Sequence, residues 1–295
     1  MKVTGFSFIR NAIRCDYPIC EAIRSILPVC DEVVVAVGES DDGTLDLVRQ
    51  IHPAKVLILP TVWDENLRTG GRVFAAETDK AFHAIGEDTD WCFYIQADEV
   101  VHENSLNTIH ENMKKYLHRK QVEGLLFDFI HFWGSYRYVV NSPHWHKREI
   151  RIIRNDKRIF SYKDSMGFRK MPNRKLRVLH SGGIIYHYGH VKPPHAMMQK
   201  SIEMDKQWHD DAWISRKYSG VDLQTYDYGI IEALDHFEGT HPAVMQARIA
   251  KANWVFTYDT SQNKLPWKQK IKQWIYEKTG WEIGTYKNYI LLKDE

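Results

Sequence analysis

Residues 90–104 read DWCFYIQADEVVHEN. Residues 91–95 are all apolar or aromatic, Gln96 and Ala97 follow, and then two carboxylates, Asp98 and Glu99, stand side by side. The apolar run has the length and make-up of a buried strand. Because it ends on adjacent acids, fold and function both turn on what surrounds that end.

Working outward, strand and helix signals alternate over the first 130 residues. Residues 3–9 form a strand candidate, and Ile19, Ile23, Ile26 and Leu27, after Pro18, mark one helical face. EVVVAVG (32–38) is a largely β-branched run, as expected of a parallel strand covered on both sides. It breaks at GESDDGT (38–44), where Ser40, Asp41 or Asp42 can cap a following helix. KVLIL (55–59) is a third strand, and Phe74, Ala81, Phe82 and Ile85 stripe a helix. WCFYI (91–95) is the fourth strand, and Leu106, Ile109, Met113 and Leu117 stripe another helix. This order predicts an α/β fold: a doubly wound sheet with right-handed crossovers and helices on both faces. After residue 123, GLLFDFIHF, EIRIIR and GGIIYHYG read as strands with no helix between them, so the sheet is expected to become mixed or antiparallel. From Pro193 the chain reads as mainly helical, with a break near 219–225. The last 30 residues mix Lys with Trp, Ile and Tyr. They fit a helix lying on a membrane surface or, the commoner arrangement, a terminal helix packing its aromatic face on the domain.

The 295 residues suit one large domain or two small ones, and 43% apolar with 13% aromatic content is ample for a core. Forty basic against 38 acidic residues leave no overall field to attract nucleic acid. Cys15, Cys20, Cys30 and Cys92 show no CxxC or zinc spacing and read as reduced thiols. The first residues lack a signal-like apolar stretch, and no run approaches the ~18 apolar residues of a membrane span. The expected location is cytoplasmic, at most peripheral to the inner face of a membrane.

In open α/β sheets ligands bind beyond the carboxyl ends of the strands, which is where Asp98 and Glu99 fall. Two carboxylates on a fixed turn suit a hard divalent cation, Mg²⁺ or Mn²⁺, able to bridge to a diphosphate. The alternative is that they only cap the helix starting near Asn104. GESDDGT would face the same crevice: Gly38 lets backbone approach a ligand, and Asp42 can accept from ribose or base. Neither GxGxxG nor GxxxxGK[ST] occurs, which argues against a Rossmann dehydrogenase and a P-loop NTPase.

These residues, in this order, resemble the family 2 glycosyltransferases with the GT-A fold. FIRNAIRCDYPICEAIRSILPVCDEVVVAVGESDDGTLDLV (8–48) is similar to the family's opening strand, Asn-containing turn, helix and second strand ending in an Asp-Gly-Thr loop. DTDWCFYIQADEVV (88–101) is similar to the segment with its Asp-x-Asp motif. The resemblance covers about residues 1–190 and is strongest at 1–50 and 88–102. It implies a nucleotide-sugar-binding and catalytic core over 1–192, with a mainly helical region, 193–295, packed on it. It also implies a divalent cation, Mg²⁺ or Mn²⁺, held by Asp98 and a late histidine, for which His187 matches best and His190 is the alternate. Gln96 stands where the motif has its first acid, Ala97 lies between, and Val37 stands where the family commonly has an Asp for base or ribose. Arg10 and Asn11 fall where the family contacts the nucleotide. The family's general base comes after the strand that follows the metal motif; Asp164 in FSYKDSMGFRK lies in that region, with Asp128 and Glu149 as competitors.

Beside the resemblance, Lys192 could neutralise a leaving diphosphate and Arg72 could reach a phosphate, whose oxygens a guanidinium matches. His144 and His146 form an HxH pair with no third zinc ligand evident. The leading reading is a metal-assisted, inverting transfer of a sugar from a nucleotide-diphosphate sugar to the hydroxyl of a saccharide or lipid-linked acceptor. One alternative is a sugar-phosphate nucleotidyltransferase, against which FIRNAIR lacks a glycine. Another is a nucleotide-sugar-binding protein of the same fold with weak or lost turnover, motivated by Val37 and Gln96.

Overall fold

Along residues 33–37 successive side chains enter opposite layers. Val33, Val35 and Val37 join one apolar cluster with Ile23 and Ile26, while Val34 and Ala36 join another with Ala81 and Phe82. That period-two division is what a strand produces, and two apolar faces explain why helices cover both sides.

The computed structural model describes residues 1–229, 233–281 and 283–294. The chain opens with β1 (Val3–Ile9), α1 (Ile19–Ile26), β2 (Glu32–Gly38), α2 (Thr44–Arg49), β3 (Val56–Thr61), α3 (Arg72–His83), β4 (Trp91–Tyr94), β5 (Glu99–Val101) and α4 (Glu103–Tyr116). Strands then dominate: β6 (Gly124–Trp133), β7 (Ser135–Val140), β8 (Arg148–Arg154), β9 (Ile159–Tyr162), β10 (Gly167–Lys170) and β11 (Arg174–His190). After them come α5 (Pro194–Asp205), α6 (Asp211–Tyr218), β12 (Leu234–His236), α7 (Gln246–Ala250), α8 (Trp267–Thr279) and β13 (Tyr289–Leu291).

The sheet has the order β3-β2-β1-β4-β8-β6-β11-β10-β9. Its first four strands are parallel, as the strand–helix alternation predicts. Beyond β4 it is mixed: β8 runs antiparallel to β4 and β6, and β11 runs parallel to β6. The result is the doubly wound mixed α/β architecture expected from the sequence. The region after Pro193 is less purely helical than its pattern suggested, because β12 pairs with β7 and β13 with β11.

Two local expectations need correction. Asp98 and Glu99 do not cap α4; His102 does, accepting from the Asn104 amide at 3.2 Å. Nor does α8 pack an aromatic face on the domain: Trp267, Ile271 and Trp274 are exposed, and among the described residues Gln273 is its one buried side chain. Among those residues no helix is long and apolar enough to cross a membrane.

Candidate functional site

Beyond the carboxyl ends of β1 and β4 lies a cavity of about 300 Å³. Phe8 and Arg10 reach it from the end of β1, Trp63 from the loop after β3, and Phe74 from α3. Gln96, Ala97 and Asp98 line it from the turn between β4 and β5, and Glu149 and Arg151 from β8. The turn between β9 and β10 adds Asp164 and Ser165, β11 adds His187 and His190, and α5 adds Lys200.

The two acids of the opening stretch have separate partners. Arg151 donates to both Glu99 oxygens, from Nε at 2.8 Å and from the guanidinium tip at 2.6 Å, and this pair is almost wholly buried. Asp98 Oδ2 accepts from Lys200 Nζ at 2.9 Å, and the same ammonium donates to the Gly189 carbonyl at 2.8 Å. Burial pushes the Asp98 carboxyl up, but the Lys200 ammonium above all pulls it down further, so it lies below the usual carboxylate range.

A histidine chain backs this pair. His131 Nε2 lies 2.8 Å from the His146 carbonyl and therefore donates to it. Burial lowers both His131, to about 4, and His187. In neutral His131 the other nitrogen is then an acceptor, so His187 donates from Nδ1 across 3.0 Å. This leaves the bare Nε2 of His187 facing Asp98 Oδ2 at 3.8 Å.

Asp164 sits between Lys163 (φ 57°) and Ser165 (φ 70°), two non-glycine residues in left-handed backbone. Such conformations persist where the surroundings over-determine them, and they gather at functional sites. The surroundings here are visible: Ser165 Oγ lies 2.7 Å from both Thr78 Oγ1 and Tyr94 Oη, and its carbonyl accepts from Gln96 Nε2 at 3.1 Å. Asp164 Oδ1 is buried with no hydrogen-bond partner among the described residues, and burial raises the carboxyl. Glu149 Oε2 is likewise orphaned, and burial, opposed by Arg151, pushes this carboxyl up to about 8.

The cavity therefore brings together Arg10, Gln96, Ala97, Asp98, Asp164 and His187 of the sequence-based candidates, with His190, Glu149 and one histidine of the HxH pair, His146. It does not bring in the others. Lys192 is fully buried outside the lining, donating to the Asp16 carbonyl at 2.6 Å under the Tyr17 ring, and burial pushes it down to about 7. Asp42 is occupied by the Arg14 and Thr44 amides at 2.8 and 3.1 Å. Gly38 makes room for Trp63, whose Nε1 would stand 2.5 Å from an added Cβ. Arg72 is exposed and turns back to the Thr69 carbonyl at 3.2 Å. Asn11 lies in a small adjoining recess and donates to Glu203 at 3.2 Å. Val37 points into the apolar layer over α1. Asp128 pairs with Arg148 at 2.7 Å. His146 packs edge-on against His131, 4.5 Å between centroids, rather than completing a zinc site with His144.

Lys200 and Arg151 escaped the sequence reading. Each left a trace: Lys200 shares a helical face with Met197 and Met204, and Arg151 interrupts the isoleucines of β8. A lone cation on an apolar face signals a buried partner.

The divalent cation expected at Asp98 and His187 meets no ready-made site in this geometry. Asp98 already holds an ammonium, Glu99 is locked by Arg151, and Gln96 spends its amide nitrogen on Ser165. Among the described residues no three His, Cys, Asp or Glu side chains converge into a closed protein cage, so an ion here would lean on substrate phosphates and water as Mg²⁺ commonly does. With Lys200 on Asp98, the described residues by themselves hold no Mg²⁺ or Mn²⁺ before a diphosphate arrives.

No protein-family model and no curated protein matches the chain. Among solved structures it is similar to residues 1–349 of S. aureus TarS, at 12% identity and TM-score 0.38, over 73% of this chain and 69% of that one. It is also similar to glucosyl-3-phosphoglycerate synthase from Mycobacterium tuberculosis, crystallised with Mn²⁺, UDP and glucosyl-3-phosphoglycerate, at 16% identity and TM-score 0.30 over 45% of each chain. A third likeness is to 4-diphosphocytidyl-2C-methyl-D-erythritol synthase from Anaerococcus prevotii, at 10% identity and TM-score 0.32, over 52% of this chain and 71% of that one. These likenesses are too distant to carry a functional argument, which rests instead on the cavity.

Proposed function

We propose that this protein transfers a glycosyl group from a nucleoside-diphosphate sugar to the hydroxyl of a saccharide or lipid-linked acceptor, with Lys200 supplying positive charge at the diphosphate. One observation carries the reading: a single cavity at the sheet edge joins an aromatic wall, a buried ammonium and a carboxyl oxygen without a partner among the described residues. The wall of Phe8, Trp63 and Phe74 suits the flat face of a base. Arg10, lying over Trp63 at 5.3 Å, has a guanidinium of the right shape for phosphate oxygens.

In the transfer, the acceptor oxygen bonds to the anomeric carbon and its proton passes to Asp164. The bond from that carbon to the diphosphate oxygen breaks, and its electron pair leaves with the nucleoside diphosphate. Lys200 and Arg10 counter the charge that accumulates there. A carboxyl raised by burial is better matched to taking a proton near neutral pH than an exposed one. Calorimetry with UDP-, GDP-, CDP- and dTDP-sugars tests the reading. One donor is expected to bind and to be cleaved slowly; failure of all of them to bind would sink it.

A further inference from the structure

Helix α8 carries an apolar face that remains exposed among the described residues. Trp267, Ile271 and Trp274 recur at i, i+4 and i+7, so they share one side of the helix, and they are 67, 49 and 59% exposed. Trp281, just beyond the helix end, is 61% exposed. Single apolar residues scattered over a surface are ordinary, but aligned indoles point to an interface.

The charge on the helix narrows the partner. Lys268, Lys270, Lys272 and Lys278 lie in α8 with Glu277 as its one acid, and Lys264 precedes it. An apolar protein groove would have to strip water from these ammonium groups. A bilayer with acidic headgroups would not: indoles favour the headgroup level, and lysines extend to lipid phosphates. At 13 residues the helix is about 20 Å long, too short to span a membrane but suited to lying in its surface.

We propose that α8 docks the protein on an anionic lipid surface, with Trp267, Ile271 and Trp274 seated among the headgroups and the lysines on lipid phosphates. The helix is braced on a segment that also serves the cavity: Gln269 meets His144 at 3.3 Å, Lys147 lies 5.5 Å over the Tyr276 ring, and His146 between them lines the cavity. The inference is independent of the chemistry assigned to that cavity.

Flotation of the full chain with phosphatidylcholine vesicles, with and without phosphatidylglycerol, tests it. Binding is expected only with the anionic vesicles, with a blue shift of tryptophan emission and weakening in salt. The triple change Trp267→Ser, Ile271→Ser, Trp274→Ser is expected to lower partitioning at least about tenfold. Changing Lys268, Lys270 and Lys272 to Gln is expected to lower it about fivefold per charge. Circular dichroism and donor binding in solution should be unchanged in both variants, which separates lost docking from misfolding and from the cavity's role. Wild-type protein that fails to float with anionic vesicles, or a serine variant that floats equally well, overturns the proposal. So does a sedimentation result in which the wild type is a non-floating dimer that the serine changes split, since the face would then join two copies of the chain.

Discussion

Lys200 donates to Asp98 across 2.9 Å, and side-chain exposures of 10 and 11% put the pair almost out of water. Breaking such a pair from one side leaves a buried charge uncompensated, at a cost of about 3–5 kcal/mol. Lys200→Met and Asp98→Asn are each expected to lose roughly that much in urea unfolding, and the double variant to recover much of it. Strictly additive losses would show that the two groups do not depend on one another.

With an ammonium in the cation position, donor binding should not respond to divalent metal. Calorimetry is expected to give the same affinity in EDTA and in Mn²⁺, and Lys200→Met to weaken binding about 10- to 100-fold. Wild-type binding that collapses in EDTA would restore the metal to Asp98.

Asp164→Asn removes the proposed base while keeping its shape. Turnover is expected to fall about 10²- to 10⁴-fold with the donor dissociation constant unchanged. Because burial raises this carboxyl, the rate should fall on acidification at a higher pH than for an exposed Asp, near 3.9. Glu149→Gln should leave that acid limb in place; if it moves the limb instead, the base is Glu149.

Glu149 carries its own stability signature. Burial pushes its carboxyl from the ordinary 4.5 up to about 8, so over that interval the folded protein holds a proton that the unfolded chain has released. Stability from this group is present in full below pH 4.5 and is lost as pH rises through about 8. The melting temperature should fall across that window, and Glu149→Gln should flatten the fall. An identical slope in the variant would assign the pH dependence elsewhere.

Much of the parallel half of the fold was legible along the chain. Periods of 2 and 3.6 are local signals: the alternation through 33–37 and the stripe at Ile19, Ile23 and Ile26 need no distant residue to be read. The placement of Asp98 and Glu99 at a ligand-facing edge was legible too, because strand direction and element order imply it. Their partners were not. Lys200 is 102 residues from Asp98, and Arg151 is 52 from Glu99. Lys192, close to the histidines in sequence, reads as a phosphate ligand, yet the chain buries it against Asp16 while α5 turns Lys200 inward.

The same division holds for Asp164 and α8. The family resemblance marked the acid and composition marked the Trp–Lys helix, but an oxygen orphaned among the described residues and an exposed indole are facts about what other segments fail to reach. Local pattern therefore established the α/β layering and the edge where chemistry can occur. Long-range packing settled which charges meet there, because a buried carboxylate takes its cation from whatever the folded chain brings within about 3 Å, however far away it lies in sequence.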